Sequence, residues 1–174
     1  MSHPGVGLLL LASFAGCFYF PDPVIEEAEL DVPPIVRPQD VVPDTDELIR
    51  VTLSLGQPQT LGVLAVRDQN REDALFFDFA LFDGTGRSLP GLSNSGSLEF
   101  SEQDGDISVY EGPQIVLDPC NDDALNSLER LTVQLTIRDE VDNTQQAVEL
   151  GGVAEFSQTF SWNLVFEGGP CPEF

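Results

Sequence analysis

The sequence predicts an all-β chain: a single antiparallel β-sandwich with one short helix, preceded by a disordered Pro-rich tether. Three observations carry this. From Leu48 onward, apolar and polar residues alternate with period two, the mark of strands buried on one face. Turn signals built on Gly and Pro separate these stretches at short intervals. One segment alone, Asn121–Arg130, reads as helical, with Asn121 or Asp122 placed to cap a turn or two carrying Ala124, Leu125 and Leu128.

The chain opens on residues 1–16, which have the length of a short signal peptide, with an apolar core from Val6 to Ala12. Even run on to Phe20, the apolar stretch is about 16 residues, short of the ~20 that a spanning helix needs. It ends on Phe14-Ala15-Gly16-Cys17. This ending resembles the lipobox of bacterial lipoproteins: Leu, a small residue, Gly or Ala, then Cys. Ala15, Gly16 and Cys17 match, and Phe14 stands in place of Leu. The resemblance implies a diacylglycerol on the Cys17 sulfur, cleavage before Cys17 and a bilayer as the first partner. It also implies a cell-envelope location. Phe18, where inner-membrane retention is associated with Asp, suggests the outer membrane. Two or three acyl chains are what stable anchoring needs, because one gives marginal binding. The rival readings are an ordinary cut after Ala15, since Ser13-Phe14-Ala15 is also a small-x-small site, and an uncleaved anchor.

Cysteine arithmetic favours lipidation. The chain has three cysteines. Modifying Cys17 leaves an even pair, Cys120 and Cys171, expected to form a disulfide in an exported protein. Closing a loop of roughly 50 residues stabilises by about 4 kcal/mol in the chain-entropy model. The bond is expected to staple the C-terminal "GGPCPEF" to the loop that opens the short helix.

Residues 17–47 read as an acidic tether. Phe18–Glu47 contains Pro21, Pro23, Pro33, Pro34, Pro38 and Pro43, nine acids and one cation, Arg37. Proline removes backbone donors and like charges extend the chain, so a spacer outside any core is expected.

Residues 48–174 are expected to form the sandwich. In "LIRVTLSL", Ile49, Val51, Leu53 and Leu55 share a face; in "LTVQLTIR", Leu131, Val133, Leu135 and Ile137 do; in "FSQTFSWNLVF", Phe156, Phe160, Trp162, Leu164 and Phe166 do. Further strands are expected at 61–66, 75–82, 98–101, 107–110 with 114–117, and 145–150. Turns are expected at Asp83-Gly84, Gly86, Pro90-Gly91, Asp104-Gly105, Gly112-Pro113 and Gly151-Gly152. Seven or eight short strands resemble an immunoglobulin-like sandwich in broad architecture. The antibody-type placement of Trp soon after the first Cys is absent, so Trp162 and the Phe residues read as core.

The composition excludes whole classes of chemistry. The chain carries 30 Asp and Glu against 7 Arg and no Lys, a net charge of -23 that repels phosphates and disfavours nucleic acid. The one His, His3, lies in the segment expected to be removed. Without His or Lys, His-based triads, His-ligated zinc and Schiff-base lysines are out of reach. No catalytic residue and no cofactor are expected. "DGTGRS" reads as a hairpin turn, not a nucleotide loop. Asp104, Asp106, Asp139 and Asp142 are the candidate calcium ligands among acids that otherwise read as solvated, and none shows the EF-hand spacing. The expected function is a non-catalytic binding or structural module facing an envelope protein or polysaccharide. The alternatives are a calcium-dependent adhesion or assembly module and, behind it, a carboxylate-dependent hydrolase.

Overall fold

The computed structural model describes residues 33–69, 74–139 and 157–172. The first strands are β1 (Val41–Val42), β2 (Leu48–Thr52), β3 (Gln59–Val63) and β4 (Ala65–Asp68). Next come β5 (Leu75–Asp83), β6 (Asn94–Ser97), β7 (Phe100–Asp104), β8 (Ile107–Glu111) and β9 (Gln114–Leu117). The helical turn α1 (Asp123–Asn126) precedes β10 (Arg130–Asp139) and β11 (Ser157–Glu167). One layer has the order β2-β11-β10-β5-β6; the other comprises β1-β3-β9 and β4-β8-β7.

The two three-stranded sheets are halves of one bent layer. The Val63 N–H donates to the Pro113 carbonyl and the Gly112 N–H to the Leu64 carbonyl, both at 3.1 Å, so the ladder carries on through the bend. β3 with β4 and β8 with β9 thus act as two long strands kinked at Leu64 and at Gly112-Pro113. Gly112-Pro113 is therefore a bulge and not the expected turn. The backbones approach so closely there that a Cβ on Gly112 would stand 2.2 Å from the Val63 carbonyl oxygen, and one on Gly62 2.3 Å from that of Pro113.

The alternating strands lay their apolar parity between the layers. Leu131, Val133, Leu135 and Ile137 of β10 meet Phe79 and Leu81 of β5 and Trp162 and Leu164 of β11, all at most 1% exposed. With Leu61, Val63 and Val66 from the facing layer they form one hydrophobic cluster. The fold is the all-β sandwich the sequence predicts. Its strand order goes further than broad architecture. Taking β1 as A, β2 as A′, β3 with β4 as B, and so on to β11 as G, the layers read A-B-E-D and A′-G-F-C-C′, the order of an immunoglobulin-type sandwich.

Three expectations are corrected. First, the pairing is not wholly antiparallel: β2 runs parallel to β11, from Asn163↔Leu48 to Glu167↔Thr52. The first strand changes layer after Val42, and its second half lands beside the last strand. Second, the fold does not begin at Leu48. Ile35 and Arg67 exchange backbone hydrogen bonds of 2.7 and 2.9 Å, and the Leu64 N–H donates to the Asp40 carbonyl. Val41 and Val42 pair with Val63 and Gly62, Val36 is buried, and Asp40 forms an ion pair with Arg67. The fully buried Trp162 donates its indole N–H to the Pro43 carbonyl at 2.7 Å. Residues 35–43 are thus a strap on the sandwich. Proline is compatible with this because an edge segment needs few backbone donors. Third, boundaries move. "LIRVTLSL" leaves the sheet at Thr52 and turns over Leu53–Leu55, exposing Leu55. The expected strand at 98–101 straddles the crossover from β6 to β7, where Leu98 is buried. The expected strand at 145–150, Gly151-Gly152 and Phe156 lie outside the described residues.

α1 is a single turn, capped as expected: the Asp122 carboxylate accepts from the Ala124 N–H at 2.8 Å. Beside it the Sγ atoms of Cys120 and Cys171 lie at disulfide distance, 2.13 Å, joining the C-terminal segment to the turn before α1.

Candidate binding surface

The outer face of the five-stranded layer carries a groove of about 600 Å³. Strand register builds it. Phe82 stands opposite Thr132, Thr132 opposite Asn163, and Asn163 opposite Leu48. At ~4.8 Å per strand this row spans about 14 Å. Its middle is polar and its two ends are apolar, with Leu48 52% exposed. Thr132 donates its hydroxyl to the Asn163 Oδ1 at 3.0 Å. That bond uses one lone pair of the amide oxygen and orients the Asn163 amide, with its Nδ2 donors, on the groove face. Gln134 and Arg130 line it along β10 on either side of the row.

Arg130 is held by the turn after β5, where a Cβ on Gly84 would come within 3.1 Å of the Arg130 Cβ. Arg130 forms no ion pair with a carboxylate among the described residues, unlike Arg50, paired with Glu167, and Arg67, paired with Asp40. Asp83 also lines the groove, but its Oδ1 accepts from the Thr85 N–H, the Thr85 hydroxyl and the Arg87 N–H. The Thr85 hydroxyl first, then the Arg87 amide, hold its carboxyl below the usual range. "DGTGRS" is thus a self-satisfied turn, as the sequence suggests. Asp118 plays the same part before the disulfide: the Asn121 amide, then the Cys120 and Asn121 N–H groups, lower its pKa.

The expected site residues fall as follows. Cys17 lies outside the described residues, and so does Asp142. Asp104 and Asp106 are exposed at the tip of the β7–β8 hairpin around Gly105. Asp139 is buried at the end of β10, in the other layer. Among the described residues, no three His, Cys, Asp or Glu side chains stand close enough together to hold a metal ion. Asp68 and Ser108, which stand opposite each other across β4 and β8 and are both buried, carry no signal in the sequence. The groove residues carry none either, since their alternation marks them as an ordinary solvent face. Among the described residues, no helix is long and apolar enough to cross a membrane. Comparison with known proteins returns no matching family model, curated protein or solved structure, so the assignment of this surface rests on its geometry.

Proposed function

We propose that this chain is a lipid-anchored envelope protein, held at the outer membrane through Cys17, whose sandwich acts as a non-catalytic binding module. The observation that carries the anchor is Cys17 itself. It follows Ala15-Gly16 at the end of an apolar run, and it is the cysteine left over once Cys120 and Cys171 are joined. Lipidation accounts for that odd thiol. The binding role is supported by the groove on the outer sheet face and by a composition that lacks the side chains most enzymes rely on. Because the strap belongs to the sandwich, the linker from Cys17 is about 16 residues, not thirty. The test is membrane fractionation of the wild-type chain and Cys17→Ser. The wild type is expected in the detergent phase, and the variant in the soluble fraction or as uncleaved precursor. Equal partitioning of the two would remove the anchor from the proposal.

A further inference from the structure

We infer that the groove on the five-stranded layer takes a saccharide bearing a single carboxylate, with the acid group at Arg130 and the sugar ring between Phe82 and Leu48. This rests on the reading of the sandwich as a binding module, and not on the anchor.

The polarity of the lining selects the ligand. Arg130 offers donors alone. Asn163, oriented by the bond from Thr132 to its oxygen, presents its amide hydrogens and one remaining acceptor site. Gln134 adds a further amide on the same face of β10. Asp83 adds an acceptor to the same lining, so a ligand whose hydroxyls both donate and accept, with a carboxylate for Arg130, answers this set.

The walls select its shape. Phe82 and Leu48 are apolar and close the two ends of a row about 14 Å long, which suits a ring with an apolar C–H face and polar edges. β10 and β11 are interior strands, with both ladders satisfied by neighbours. A ligand lying over β10 and β11 meets no free backbone, because the edges of the layer are β2 and β6, so recognition over these two strands runs through side chains.

Charge selects the number of acid groups. In a chain of net charge -23, Arg130 has no carboxylate partner among the described residues, and the three turn hydrogen bonds of the neighbouring Asp83 fall on its Oδ1, leaving Oδ2 to accept from a sugar hydroxyl. One local carboxylate is attracted, while a polyanion meets the repulsion of the whole surface.

The test uses the full isotope-labelled chain carrying Cys17→Ser, titrated with methyl glucuronide, methyl glucoside, acetate and a short acidic peptide at matched ionic strength. Saturable amide shifts at Thr132, Gln134 and Asn163 are expected with the glucuronide. Binding about tenfold weaker is expected for the glucoside, as for loss of one charge-assisted contact. Arg130→Gln should bind the glucuronide no better than the glucoside, with its spectrum otherwise that of the folded chain. The inference is overturned by the absence of saturable shifts, by acetate matching the glucuronide, by the peptide binding more tightly, or by Arg130→Gln binding unchanged. Failure here alongside an acylated Cys17 removes the ligand and leaves the anchor. Glucuronide binding, alongside a wild-type chain that fractionation shows to be without acyl groups, removes the anchor and leaves the ligand.

Discussion

Single positions carry the bend that joins the two half-sheets. At Gly112 the nearest atoms to an added Cβ are backbone, the Val63 carbonyl oxygen at 2.2 Å and the Leu64 carbonyl carbon at 2.6 Å, so no side-chain rotation relieves the clash. Gly112→Ala is expected to cost about 2 kcal/mol or more, within the range of overpacking substitutions. Gly91→Ala serves as the control, since nothing lies within 4 Å of a Cβ there, and its effect should stay within about 0.5 kcal/mol. Denaturant melts of both variants check this; equal stability of the two would show that the bend opens at no cost. Trp162 joins the core to the strap in a different way. Its ring is fully buried while its N–H reaches the Pro43 carbonyl, so a residue legible as core from its parity also holds the point where the chain changes layer.

Among elements, the strap separates what composition suggests from what pairing does. Proline and acid residues mark 17–47 as a spacer, and nothing local says that 35–43 finds partners. Its hydrogen bonds go to groups on β3 and β4, the bend between them and β11, all distant in sequence. A chain starting at Pro33 is therefore expected to melt like the full protein, and one starting at Glu47 to melt markedly lower. Asp40→Ala, which strips the carboxylate from a largely buried Arg67, should cost about 1–3 kcal/mol. Equal melting of the two truncations would return the strap to the tether. The same contrast explains which strands were legible. β5, β10 and β11 sit between two neighbours with one face in the core, so alternation names them. β6 and β7 are edges; β7 is exposed along its whole length and β6 nearly so, and no period marks them. The groove was illegible for a related reason. Leu48 meets Asn163 only through the parallel pairing of β2 with β11, which neither stretch encodes alone.

For the whole molecule, charge is the largest single property. A net charge of -23 should destabilise the compact state by self-repulsion at low ionic strength. NaCl shortens the screening length from ~30 Å at 0.01 M to ~8 Å at 0.15 M, so the melting temperature of the full chain is expected to rise smoothly with salt. Calcium at the same ionic strength should add little, because Asp104 and Asp106 sit at an exposed hairpin and Asp139 ends a strand of the other layer. A native-state site would instead add about 2.7 kcal/mol at a hundred times Kd. A calcium-specific rise abolished by Asp104→Asn would establish the calcium-dependent module. The anchor is the central claim at this scale, and the intact mass of the membrane-bound protein tests it most directly. The expected result is a chain beginning at Cys17 with the added mass of two or three acyl chains, and with Cys120 and Cys171 unreactive to thiol labelling until reduced. A mature chain beginning at Gly16, with Cys17 unmodified, would contradict it.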